Sequence, residues 1–168
     1  MIQNEKYIVL DIETDGLCPW FGNRITCICA RDSTGYKFVM TDHNELKIIK
    51  SFLGWLKPRS REEYFLVTKN GKQFDIPFIL TRLAIRSHVN DKNALHLLLY
   101  EHLDLHELTK KKVSLNDMAR LFKCRLKSGT RKNAIRLWRA ERYDDLIKYC
   151  MQDVETIEEV YLKWKILK

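Results

Sequence analysis

Residues 7–14, Tyr-Ile-Val-Leu-Asp-Ile-Glu-Thr, decide how the rest of the chain is read. Tyr7-Ile8-Val9-Leu10 is a short apolar run with β-branched residues, the pattern of a strand buried on both faces. Asp11-Ile12-Glu13 follows directly. Side chains two apart on an extended chain point the same way, so both carboxylates face one side at the strand's end. Such a pair on a hydrophobic strand needs neutralising, and a divalent cation held by oxygen ligands does this. The plainer alternative is a strand end meeting solvent.

Working outward, Ile25 to Ala30 reads as a second strand. Tyr36 to Thr41 reads as a third after the turn at Ser33-Thr34-Gly35, and strands this close predict an antiparallel meander. Asp42-His43-Asn44-Glu45 opens a helix running to Leu56, with Leu46, Ile49, Phe52, Leu53 and Leu56 on one face and Pro58 as its stop. Tyr64 to Thr68 is a fourth strand, Asn70-Gly71 a turn, and about Ile76 to Arg86 a helix with Pro77 in its first turn. Leu95 to Leu105 holds a fifth strand, with helix as the alternative. Ser114-Leu115-Asn116-Asp117 fits a capping box before Met118 to Phe122. Lys123 to Asn133 is a basic linker, and helices follow at about Ala134 to Arg139 and Asp144 to Lys165. The expected class is α/β: one domain over residues 1–168, with a central mixed five-stranded sheet flanked by helices.

Composition narrows the partners. Lys and Arg number 30 against 22 Asp and Glu, a net charge of +8 that favours a polyanion, nucleic acid above all, over a merely solvated basic surface. The five cysteines, Cys18, Cys27, Cys29, Cys124 and Cys150, contain no C-x-x-C pair, which argues against zinc and for buried reduced thiols. The polar start Met1 to Lys6 is unlike a signal peptide, and no apolar run is long enough to cross a bilayer. The expectation is a cytoplasmic protein.

Two further clusters join the first. Asp75, in Asn70-Gly71-Lys72-Gln73-Phe74-Asp75-Ile76-Pro77, stands where a helix begins. It suits an N-cap, a metal site, or both. Tyr149 and Asp153 are four apart, one face of a helix, either as a surface Asp with a core Tyr or as a phenol placed beside a metal-bound carboxylate.

In this order, D-x-E, N-G-x-x-F-D and Y-x-x-x-D, the three clusters resemble the exonuclease motifs of the DEDD superfamily. They are closest to the 3′–5′ exonuclease domain of family B DNA polymerases and its stand-alone relatives. The resemblance runs from Asp11 to Asp153. His102-Leu103-Asp104-Leu105 also looks like that family's strand between the second and third motifs. The sister branch carries histidine five residues before the last aspartate; here that position is Lys148, and Tyr149 places the chain in the tyrosine branch. The resemblance implies a ribonuclease H-like fold and 3′–5′ exonuclease activity, with single-stranded DNA favoured over RNA. It implies Asp11, Glu13 and Asp153 as metal ligands, Asp75 joining them partly through water, and Tyr149 positioning the attacking water. A binding module without catalysis is the alternative from another class, and it usually lacks one of the acids.

The chemistry agrees with these residue types. Phosphodiester hydrolysis builds negative charge that two metals about 3.5–4 Å apart can stabilise. All-oxygen ligands favour two ions of Mg²⁺ or Mn²⁺ over Zn²⁺. Arg131 and Lys132 in the basic linker, with Arg136 and Arg139 beyond, are candidates to follow the substrate backbone, or else form a solvated basic loop. Thr14 and Asn70 are further substrate-binding candidates, and Phe74 either stacks on a terminal base or sits in the core.

Overall fold

β1 (Tyr7–Thr14) lies in the middle of a five-stranded sheet ordered β3-β2-β1-β4-β5. β2 (Ile25–Asp32) and β3 (Lys37–Thr41) extend it as an antiparallel meander. β4 (Phe65–Thr68) and β5 (His102–Asp104) run parallel to β1 on its other side. The computed structural model describes residues 5–86, 92–109, 113–127 and 129–167, with backbone alone at 92–94 and 131.

Alternation along β1 builds two cores. Ile8, Leu10 and Ile12 pack beneath α1 (Glu45–Arg59), α2 (Asp75–Arg86) and α3 (Lys92–Leu99). Tyr7 and Val9 face α4 (Leu115–Leu121), α5 (Arg131–Arg139) and α6 (Tyr143–Ile166). The mixed sheet is therefore sandwiched between two helical layers. Ile8, Val9 and Leu10 are fully buried, so truncating Ile8 or Leu10 to Ala should cost roughly 2–5 kcal/mol. None of the described helices is long and apolar enough to cross a membrane.

The structure corrects three boundaries. Asp11 and Glu13 lie inside β1, not after it, because β2 continues to pair with them: Asp11 opposes Cys29 and Glu13 opposes Cys27. They therefore face α6 instead of solvent at a strand end. Pro58 does not stop α1 but sits inside its last turn. Its missing N–H would have bonded to Gly54, which is exposed, and the helix closes by Ser60 N–H donating to the Leu56 carbonyl at 2.9 Å. Finally, Leu95 to Leu99 is helical, and the fifth strand is only His102–Asp104. Leu97 and Leu98 bury against the core from the helical layer, a placement that a short apolar run does not reveal.

Smaller shifts also matter. Thr130 precedes the first residue of α5, which begins at Arg131, so the linker before it is shorter than expected; Ser128 within it lies outside the described residues. The Ser114 hydroxyl accepts from the Asp117 N–H at 3.1 Å and so caps α4.

Candidate active site

The odd-numbered side of β1 carries Asp11 and Glu13 onto the face covered by α6. On α6, the spacing of four puts Tyr149 and Asp153 on the side turned to the sheet, and both are buried. Asp75 arrives from the opposite helical layer. β4 pairs with β1 only as far as Val9, which leaves the β1 edge open beyond it. Asp75, the first residue of α2, fills that opening: its Oδ1 accepts the Ile12 N–H at 3.1 Å. The aspartate thus ties α2 to the strand edge.

A buried carboxylate holds the turn leading to Asp75. Asp104, 2% exposed at the end of β5, accepts from the N–H groups of Asn70, Lys72 and His106 at 2.7, 3.0 and 2.9 Å. Asn70 takes the left-handed conformation at φ 67°, which asparagine tolerates better than most residues. Gly71 is required for space: an added Cβ would lie 2.3 Å from Thr68 Oγ1.

These elements enclose a cavity of about 250 Å³ lined by Asp11, Glu13, Thr14, Asn70, Phe74, Asp75, Tyr149 and Asp153, with Lys69 and Lys127. Thr14 is buried, its hydroxyl donating to the Gly16 carbonyl at 2.6 Å. Phe74 both lines the cavity and packs on the core, 5.5 Å from the Phe78 ring. Lys132 is exposed on α5 and does not line the cavity. The side chain of Arg131 lies outside the described residues. A second groove of about 520 Å³ shares the Tyr149 wall and is lined by Arg125, Arg136 and Lys148, with Asp145 and Glu155.

The acids strain one another. Burial, and then the charges of Asp153, Asp75 and Glu13, push Asp11 well above the usual carboxylate range. Burial and the charge of Asp153 raise Glu13 from 4.5 to about 8. Asp153 is also raised by burial, against the pull of Lys127. Lys127 Nζ sits 2.6 Å from Asp153 Oδ2. Burial alone would lower this lysine, but the charge and hydrogen bond of Asp153 raise it on balance. Tyr149 is pushed up to about 12, chiefly by burial, so its phenol keeps its proton at neutral pH.

The acids' oxygen donors are of the kind that holds hard divalent ions. Asp153 Oδ1 is buried with no hydrogen-bond partner among the described residues, a state that costs free energy unless some group meets it. Asp11 and Glu13 each place a carboxylate oxygen within 4.8 Å of the other and of Cys150 sulfur. Among the described residues, no such group of three includes Asp75 or Asp153; Asp153 is drawn instead to Lys127.

Sequence reasoning passed over Lys127, Asp104 and Cys150 as site residues. Lys127 reads in the sequence only as one of the linker's basic residues following the substrate backbone, and its partner is 26 residues away. Asp104 stood within a segment read only as a strand.

Residues 8–165 match the profile of the RNase_H superfamily. No curated protein sequence matches the chain. Among solved structures, the fold is similar to that of the family B DNA polymerase from the hyperthermophilic archaeon Pyrobaculum calidifontis, with a TM-score of 0.78 at 18% sequence identity. The match covers 97% of this chain and 24% of that one. The chain thus spans about a quarter of the polymerase, and likeness at this identity shows a shared fold.

Proposed function

This chain belongs to the RNase_H superfamily, and from that premise we propose that it is a metal-dependent 3′–5′ exonuclease, acting by preference on single-stranded DNA. The observation that carries the proposal is the meeting of Asp11, Glu13, Asp75, Asp153 and Tyr149 at one cavity from three separate parts of the chain. A purely structural role does not account for it. Buried acids that raise one another's proton affinity, with Asp153 Oδ1 lacking a hydrogen-bond partner among the described residues, weaken the fold.

Asp11, Glu13 and Asp153 would hold two Mg²⁺ or Mn²⁺ ions, with Asp75 joining partly through water, and such ions when bound activate water and stabilise a departing 3′ oxygen. The chain's own groups do the rest. Tyr149, a phenol at neutral pH, orients the water by hydrogen bonding and does not act as a base. Lys127 tempers the charge of Asp153 in the absence of ions, and would turn from it towards an incoming phosphate once ions are held. Asp104 fixes the turn that holds Asn70 and, through it, the start of α2. The groove with Arg125, Arg136 and Lys148 on the far side of Tyr149 offers phosphate contacts to the strand leading into the cavity.

The test is cleavage of end-labelled single-stranded DNA and RNA with Mg²⁺ or Mn²⁺, beside Asp11→Ala. Stepwise shortening from the 3′ end of DNA, lost on chelation and lost in the variant, is expected. Binding without cleavage would indicate a nucleic-acid-binding module, and faster shortening of RNA would reassign the substrate.

A further inference from the structure

Three cysteines meet directly behind the acidic cavity. Cys27 and Cys29 are two apart on β2, opposite Glu13 and Asp11 of β1. Both face α6, where Cys150 joins the same buried cluster. All three are fully buried. The Cys27 and Cys29 sulfurs are 3.7 Å apart, and the Cys150 sulfur lies within 4.8 Å of both. Cys150 Sγ is also 3.7 Å from Asp11 Oδ2.

The lack of a C-x-x-C pair argued against zinc in the sequence, but the fold brings three sulfurs from two elements together beside a carboxylate, which the packing of small buried thiols does not require. Sulfurs held to one ion by bonds of about 2.3 Å at the tetrahedral angle stand roughly 3.8 Å apart. The Cys27–Cys29 pair already has that spacing. We propose that Cys27, Cys29 and Cys150 form a binding site for a thiophilic divalent cation of the Zn²⁺ and Cd²⁺ class, which the Asp11 carboxylate, beside Cys150 but not grouped with Cys27 and Cys29, would close as fourth ligand by a small shift towards the sulfurs.

Ligand softness separates this site from the carboxylates around the cavity. Thiolates select Zn²⁺ and Cd²⁺, whereas Mg²⁺ and Mn²⁺ prefer all-oxygen sets. As the ion enters, three S–H protons pass to solvent and three metal–sulfur bonds form. Because Asp11 borders both sets, a filled thiol site withdraws it from the cavity, so thiophilic ions inhibit any activity that needs Asp11. That consequence rests on the nuclease reading; the thiol site does not.

Cd²⁺ is the probe, added to the full chain carrying Cys18→Ser and Cys124→Ser so that only the three buried thiols remain. One Cd²⁺ per chain is expected, with an ultraviolet thiolate-to-cadmium charge-transfer band that survives excess Mg²⁺ and a raised melting temperature. Cys27→Ser and Cys150→Ser should each weaken Cd²⁺ binding by at least roughly 100-fold. Asp153→Asn, which disables the proposed nuclease site, should keep both band and stoichiometry, so the two readings fail separately. Three results overturn the site: no band on the folded chain, a band accompanied by a lowered melting temperature (capture of thiols opened by unfolding), or undiminished affinity in a folded Cys150→Ser chain. Should neither serine variant fold, the band and melting shift of the parent decide alone.

Discussion

Glu13→Gln is expected to stabilise the metal-free protein at neutral pH while removing activity. Glu13 is 7% exposed. Burial first, and the Asp153 charge second, lift its carboxyl from 4.5 to about 8. The folded chain therefore holds the proton more tightly than the unfolded chain does. Stability from that proton is fully present below pH 4.5 and is lost as pH rises through 8. At pH 7 the handicap is about 3 kcal/mol, taking 1.36 kcal/mol for each pH unit between 4.5 and 7. Glutamine keeps nearly the same shape and has no proton to retain. Urea unfolding followed by tryptophan fluorescence in EDTA should show parent and variant equal near pH 4 and the variant ahead by about 3 kcal/mol near pH 7. Adding Mg²⁺ should stabilise the parent and leave the variant nearly unmoved. A difference that does not change with pH, or a variant less stable than the parent at pH 7, refutes the reasoning.

Other outcomes follow from neighbouring contacts. Arg82 and Glu45 form a buried ion pair, 3% and 4% exposed, with Arg82 Nε at 2.9 Å and its second guanidinium nitrogen at 2.7 Å from the carboxylate. Arg82→Ala should cost roughly 3–5 kcal/mol in chemical denaturation, towards the lower end because half-exposed Arg86 Nε lies 3.6 Å away. Gly71→Ala should lower the melting temperature and the cleavage rate together, since its Cβ would displace Thr68 and with it the approach to Asp75; the packing cost is about 1–3 kcal/mol. Tyr149→Phe should slow cleavage by about 10²-fold in single-turnover assays while Mn²⁺ binding, read by electron paramagnetic resonance, stays at the parent level. A fully active Phe variant removes the phenol from the mechanism.

Much of the fold lay open in short-range pattern. The apolar run at Tyr7–Leu10, the turn before β3 and the four-residue spacing of Tyr149 and Asp153 report periodicities that the backbone obeys. The motif acids were legible because their residue types, spacing and order are unusual together. What escaped was set by partners far away in the chain. Leu95 to Leu99 was open to strand or helix from its apolar run, and the choice falls to helix where Leu97 and Leu98 pack into the core. Asp75 suited a helix cap, a metal site or both, and nothing local showed that its carboxylate also serves the strand edge 63 residues earlier. Lys127 gains its role only through Asp153, and Cys27, Cys29 and Cys150 form a group only once α6 lies on β2.

The most direct test is anomalous diffraction from crystals soaked in Mn²⁺ with a short single-stranded oligonucleotide. Two manganese peaks about 3.5–4 Å apart are expected between Asp11, Glu13 and Asp153, with Lys127 turned away from Asp153. A cavity free of manganese, with the Lys127–Asp153 pair intact and the ions bound elsewhere, would contradict the proposed chemistry.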